Sequence, residues 1–486
     1  MISFTIALIL LIAGYFTYGR FVARVFGEDP ARPTPVHTLA DGVDYVRLPS
    51  WKVFLIQFLN IAGLGPIFGA IMGVMFGPAA FLWIVFGTIF AGAVHDYLSG
   101  MLSLRRDGAS LPEIIGHELG GGVKNAMRVF TLLLMILVGA VFVYNPADLM
   151  AMLTPASLDR LFWIVIIFAY YMLATLLPVD KLIGRLYPLF GVALLFMAVG
   201  ILVMLYVHAP EMPEMWQQFY NHTPNPEATP IFPMMFVSIA CGAISGFHAT
   251  QSPMMARCLG KEAHARPVFY GAMVTEGIVA LIWAAAAITF TGGYDGLQKF
   301  LGDGSPAILV DRLSRSWLGP VGGILAILGV VAAPITSGDT ALRSARLIAA
   351  DFIGIKQAKI KNRLAVSLPI FGAAFLVMLL PYASLWRYFA WCNQVLAVFT
   401  LWALTVWLAR HDRLYIITLI PALFMTQVTV TYICFAPEGI GLITDPLLGL
   451  TLSYEAAVGI GVAASLILLL LFARTLRTPY PDLKKV

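Results

Sequence analysis

Apolar stretches alternate with short polar connections from one end of this chain to the other. A hydrocarbon core of about 30 Å takes roughly 20 helical residues to cross. The pattern predicts thirteen spans, at 2–19, 52–75, 79–102, 127–144, 161–177, 185–207, 231–250, 267–290, 318–337, 365–382, 385–408, 414–434 and 454–473. Two of them are interrupted by glycine, proline and polar residues. The first reads Asn60-Ile61-Ala62-Gly63-Leu64-Gly65-Pro66-Ile67-Phe68-Gly69, the second Cys241-Gly242-Ala243-Ile244-Ser245-Gly246-Phe247-His248-Ala249-Thr250-Gln251-Ser252. An unpaired backbone group in hydrocarbon costs several kcal/mol, so unwound helix survives at membrane depth where it lines a cavity or holds a ligand. A matched pair of breaks points to a transporter's binding site; the competing reading is two kinks repaired by neighbouring hydroxyls.

The breaks lie in the second and seventh spans, five apart. Because five is odd, two five-span units with that offset run in opposite senses across the membrane, the symmetry of many secondary transporters. The predicted architecture is therefore all-α, one transmembrane domain over 1–486. It comprises an extra helix and loop at 1–51, a first repeat at 52–207, an inverted second repeat at 231–408, and two further helices with a tail at 409–486. In the connection 103–126, Ser110 with Glu113 three positions on reads as a capping box opening a short helix. The amphipathic stretch from Asp295 to Trp317 predicts a helix lying over an external vestibule or simply packing on the bundle.

Composition agrees: 60% of residues are hydrophobic and 12% charged, with a mean hydropathy of +0.85, against about 25% charge in soluble domains. The net charge of +5 acquires meaning when sorted by loop. Alternate connections with their flanks hold 26 and 5 of the 31 Lys and Arg, which places the N-terminus outside and the C-terminus in the cytoplasm. Met1 to Gly19 has no basic residues before it and Arg20 and Arg24 after it, the reverse of a signal peptide, and is expected to stay as a span. Cys241, Cys258, Cys392 and Cys434 are scattered without a C-x-x-C, so neither disulfides nor a metal cluster are expected. Phosphate-cradling and metalloprotease motifs are absent. The chain is read as a non-enzyme without cofactor, whose partners are the lipid bilayer and a small-molecule substrate and not nucleic acid; its oligomeric state is left open.

Polar residues within spans are functional candidates because hydrocarbon penalises them. Asn60, Gly63, Gly65 and Pro66 at the first break, and Ser245, Gly246, His248 and Gln251 at the second, form the candidate substrate site, where half-helix N-termini suit an anionic group. Ala333-Pro334-Ile335-Thr336-Ser337 sets two hydroxyls beside a carbonyl freed by proline; with carbonyls from the first break they would hold a hard monovalent cation such as Na⁺. Asp339 could join that ion, carry a proton, or pair with Arg343 four positions on. His95, Asp96 and Glu276 are candidates for proton coupling, or for a structural network between spans. Asn393 and Gln394 stand in the eleventh span.

Gly65-Pro66-Ile67-Phe68-Gly69-Ala70, Gly77-Pro78, Leu82-Trp83-Ile84, Gly87-Thr88-Ile89-Phe90-Ala91-Gly92-Ala93-Val94-His95-Asp96-Tyr97, Ser110-Leu111-Pro112-Glu113, Ser245 to Ser252 and Met255-Ala256-Arg257 resemble the carbon starvation protein A family. The resemblance implies uptake of peptides or pyruvate during nutrient limitation, in the inner (plasma) membrane of a bacterial cell. It also implies membership of the amino acid/polyamine/organocation superfamily, with its LeuT-like inverted five-plus-five fold and two discontinuous helices. Sodium symporters of that superfamily use an A-x-x-T-S pattern in the eighth core helix, and Ala333-x-x-Thr336-Ser337 is similar. Long family members carry more spans and loops than these 486 residues. The expected function is cation-coupled symport, with Na⁺ or H⁺ as the ion; the alternatives are a passive channel or facilitator and a solute-sensing receptor.

Overall fold

The computed structural model describes residues 1–177, 183–207, 212–303, 305–357, 359–380, 382–437, 439 and 452–477; Lys181 and the basic tail residues Lys484 and Lys485 lie outside them. Among the described residues the chain is helical apart from turns and one isolated bridge between Leu48 and Leu259. Among the described residues nine helices are long and apolar enough to cross a membrane, ten if a bent pair is one span. Three other expected spans take different forms. Helix α7 (Arg160–Leu176) is shorter, at 17 residues. The stretch expected at 231–250 is broken, and the one expected at 318–337 is divided between a helix ending at Ala326, a wider turn at 327–331 and a helix from Ala332 that runs on into charged residues.

In chain order the elements that position the site are α1 (Ile2–Phe26), α2 (Ser50–Ile61), α3 (Gly65–Phe76), α4 (Ala79–Arg105), α5 (Leu111–Leu119), α6 (Gly121–Leu153), α7, and α8 (Ile183–Val207). The second half adds α9 (231–238), α10 (Gly246–Ala256), α11 (Glu262–Thr291), α12 (Tyr294–Asp303), α13 (Pro306–Ala326), α14 (Ala332–Ile353), α15 (Ile360–Val377), α16 (Tyr382–Arg410), α17 (Ile416–Phe435) and α18 (Tyr454–Leu476). The longest, α6, packs along α14, while α17 and α18 pack on each other beside α16.

Both breaks fall where the sequence placed them. Between α2 and α3 the axis turns by 54° across 62–64, where Pro66 has no N–H to give. Between α9 and α10 the chain leaves the helix over 239–245. Gly242 has φ +94° there, a conformation only glycine adopts without strain.

The molecule is arranged for lipid. Large apolar side chains such as Leu133, Phe196, Leu379 and Leu470 are more than half exposed, whereas His95, Asp96, His248, Glu276, Asp339 and Asn60 are fully buried. In water such a surface would be an aggregation patch; against acyl chains it is the favourable one.

The basic connections gather at one end. There Asp44 lies 3.5 Å from Arg343 Nη1 and 3.4 Å from Arg346 Nη2. Arg105 bonds Glu262 at 2.6 Å, and Arg257 donates to the Gly108 carbonyl at 3.0 Å. These contacts tie the loop after α1 to α14, α4 to the start of α11, and the end of α10 to the loop after α4. Helix α5 begins after Ser110 as expected, but Ser110 makes no side-chain cap; Glu113 instead accepts from Arg128 at 2.9 Å. At the opposite end a cavity of about 760 Å³ opens among Phe68, Met72, Asp148, Ser305, Trp386 and Arg387. Ser305 to Ala307 form part of its wall while Leu297, Leu309 and Leu313 are buried, so the 295–317 stretch both borders the vestibule and packs on the bundle.

Candidate substrate and ion site

The two breaks meet each other. A Cβ placed on Gly65 would stand 2.0 Å from Cys241 Cβ, and one on Gly69 would stand 2.9 Å from the Ser238 carbonyl. Pro66 lies beside Gly242. Glycine is required at these positions of the first break because the second passes through the space a side chain would fill.

Unwinding frees backbone groups that must find partners. At the second break they come chiefly from one dipeptide of α16. Asn393 Oδ1 accepts the Phe247 N–H at 2.6 Å and its amide contacts Ser245 Oγ at 2.8 Å. Gln394 Nε2 donates to the carbonyls of Ile244 at 3.2 Å and Phe236 at 3.3 Å. Thr88 of α4 donates to the Gly242 carbonyl at 2.8 Å, and the Trp83 indole to that of Ile239 at 3.3 Å. The expected free N–H groups at the start of α10 are therefore partly taken by Asn393. Gly246 serves close packing, since a Cβ on it would meet the Ala397 nitrogen at 2.3 Å.

At the first break the partner is α14. Ser337 Oγ lies 3.3 Å from the Leu59 carbonyl, 3.0 Å from that of Asn60 and 3.0 Å from that of Ala333. Thr336 Oγ1 is 2.7 Å from the Ala333 carbonyl. Five oxygens are thus gathered within a few ångströms, a donor set for a hard monovalent cation. Gly63 sits beside it, for a Cβ there would meet Ser337 Oγ at 3.1 Å. The Asn60 amide is buried with neither its nitrogen nor its oxygen paired. Asp339 does not follow the local i, i+4 spacing to Arg343. It accepts from the Tyr187 hydroxyl of α8, whereas Arg343 turns to Asp44 and to the carbonyls of Ala174 at 2.5 Å and Leu177 at 3.0 Å.

The remaining candidates form one chain across three helices. His95 Nδ1 lies 2.8 Å from Asp96 Oδ1 on α4, and Asp96 Oδ2 lies 2.9 Å from His248 Nδ1 on α10. His248 Nε2 stands 3.4 Å from Glu276 Oε2 on α11. Gln251 donates to Thr250 at 2.8 Å and its carbonyl oxygen is unpaired. Of the residues central here, Tyr187, Thr88 and Cys241 were not singled out as site residues. Cys241 opens the second break and could have been weighed there; Tyr187 and Thr88 carry no local signal, because their partners lie 152 and 154 positions away.

Comparison with known proteins accords with this geometry. The family model described as carbon starvation protein CstA matches residues 1–158, 147–302 and 308–432. An uncharacterized membrane protein of Haemophilus influenzae is 43% identical over 65% of this chain and 98% of its own length. A Bacillus subtilis peptide transporter CstA is 27% identical over 87% of this chain and 88% of its own length. The Escherichia coli pyruvate/proton symporter BtsT is 28% identical over 57% of this chain and 47% of its own. Among solved structures, an Eremococcus coleocola manganese transporter superposes with a TM-score of 0.57 at 14% identity, covering 90% of this chain and 99% of that one. MhsT in complex with L-phenylalanine superposes at 0.52 and 16% identity, covering 87% and 99%. These neighbours share the LeuT-type helical fold with this chain, and by sequence the chain belongs to the carbon starvation protein CstA family.

Proposed function

We propose that this chain is a secondary transporter that carries a small carboxylate-bearing solute, a short peptide or a 2-oxo acid such as pyruvate, into the cell by symport with a monovalent cation. The observation that carries the reading is the oxygen cluster in which Ser337 of α14 meets the Leu59 and Asn60 carbonyls of the first break, with Thr336 beside it on the Ala333 carbonyl they share. A cation held there ties the broken helix to its neighbour, so its occupancy biases one conformational state and couples to the substrate. The unpaired Asn60 amide at the same break supplies a donor for a carboxylate. The cavity of about 760 Å³ that ends at Phe68, two residues beyond Pro66, is the entry route from outside. Sodium suits the all-oxygen donor set; the name of the Escherichia coli relative makes the proton the other ion to test.

The test is uptake of labelled pyruvate and of a labelled dipeptide into proteoliposomes under an imposed sodium gradient and, separately, a proton gradient. Accumulation above equilibrium under one gradient supports symport and names the ion. Equilibration without accumulation overturns coupling and leaves a facilitator; binding without flux leaves a receptor.

A further inference from the structure

The second break carries a group of side chains that the transport reading does not use. Cys241 Sγ, a ring nitrogen of His248 and a Glu276 carboxylate oxygen lie within 4.8 Å of one another, and all three residues are buried. The Asp96 carboxylate accepts from two histidines through their Nδ1 atoms, so the Nδ1 of His248 carries a hydrogen, and whenever the ring is neutral its Nε2 offers a lone pair. That lone pair faces Glu276 Oε2 at 3.4 Å, yet neither His248 Nε2 nor either oxygen of Glu276 has a hydrogen-bond partner. With the ring neutral, two acceptors face each other in a dry interior and repel unless a positive species, a proton or a metal ion, lies between them.

We propose that Cys241, His248 and Glu276 form a binding site for a divalent transition-metal ion of the Zn²⁺ class, at the unwound segment between α9 and α10. Four physical features support the assignment. Nitrogen and oxygen ligands each about 2.1 Å from a tetrahedral ion stand about 3.4 Å apart, the separation found between His248 and Glu276. A thiolate, an imidazole and a carboxylate together select a borderline ion over Na⁺, Mg²⁺ or Ca²⁺. Asp96, on the far nitrogen of His248, is the outer-sphere carboxylate that fixes the ring and its tautomer in metal-ligating histidines. Binding releases the thiol proton, and Zn²⁺ with one thiolate, one carboxylate and a neutral imidazole is uncharged overall, which limits the cost of burying it. Three protein ligands leave a fourth position beside the break, near Ser245, whose hydroxyl is 3.7 Å from Cys241 Sγ. A bound ion would fasten the second break to α11 and hold it in the closed arrangement.

The experiment is independent of uptake. The full chain is expressed in zinc-supplemented cells for elemental analysis, and a metal-stripped sample is titrated with Co²⁺ during reconstitution. The expected result is about one zinc per chain, and a one-to-one Co²⁺ complex with a thiolate charge-transfer band in the near ultraviolet that Zn²⁺ abolishes. Cys241→Ser should remove the band, Glu276→Gln should weaken binding at least tenfold, and Asp96→Asn should weaken it by 10- to 100-fold. Should Cys241→Ser fail to fold, a chain with Cys258→Ser, Cys392→Ser and Cys434→Ser decides the matter by keeping or losing the band. Loss of the band in that triple variant, no band in the native chain, or zinc content unchanged by Cys241→Ser and Glu276→Gln overturns the site and leaves a proton between His248 and Glu276. Absence of uptake would bear on the transport reading alone.

Discussion

Gly65 and Cys241 occupy each other's side-chain space: a Cβ on Gly65 would lie 2.0 Å from Cys241 Cβ and 2.4 Å from its sulfur. These residues are 176 positions apart, one from each break. Their contact brings the two unwound segments into direct packing.

Gly65→Ala must therefore force the breaks apart. Because the obstruction is a Cβ and not the end of a flexible side chain, we expect uptake to fall at least tenfold with the protein still monodisperse. Cys241→Gly should restore part of it in the double variant. Additive losses in a double-mutant cycle would show that the two residues act separately.

Thr336→Ala removes one ligand of the oxygen cluster without touching the Ser337 bridge to the first break. The cation concentration for half-maximal uptake should rise severalfold while the thermal midpoint changes little. Uptake at limiting cation equal to that of the parent chain would refute the assignment.

Asn393 and Gln394 satisfy opposite sides of the second break. A buried group left unsatisfied costs about 1–3 kcal/mol, so Asn393→Ala and Gln394→Ala should each lower the thermal midpoint in detergent. Glutamine at 393 should recover little, because the longer side chain displaces the amide from the Phe247 N–H.

Asp44 gives a pH dependence. Burial raises its pKa, but Arg346 and Arg343 more than offset this and the net shift is downward from the ordinary 3.8. A depressed carboxylate contributes stability above its unfolded value and loses it as pH falls through the folded one. Acidification from about pH 5 to about pH 3 should then lower the thermal midpoint of the parent chain more than that of Asp44→Asn. At neutral pH the same substitution should cost about 3 kcal/mol, since it leaves two buried guanidiniums without their carboxylate.

The sequence carried the breaks because glycine and proline act locally, through backbone freedom and a missing N–H. Lysine and arginine placement, a count along the chain, predicts which end faces the cytoplasm. What the sequence could not carry was pairing at a distance. Arg343 stands four positions after Asp339, so helical spacing proposed a salt bridge, yet tertiary partners from α8 and the loop after α1 were better placed. Likewise Ser110 and Glu113 have the spacing of a capping box, but Arg128 draws Glu113 away. His95, Asp96, His248 and Glu276 were each visible as costly polar residues in apolar spans. Their convergence was not, since it depends on how α4, α10 and α11 cross. Cys241 has no local ligand spacing, because C-x-x-C is a rule for contiguous ligands, whereas the Glu276 near it comes from another helix.

The Ser337 hydroxyl owns one hydrogen but has three carbonyl oxygens around it. At any instant it can serve one of them, and the lone pairs of the other two remain turned toward a shared point. That frustration is independent of which solute is carried. A small positive ion bound there would relieve it and add cohesion between α2 and α14, and the seam between those helices would be weakest after its departure.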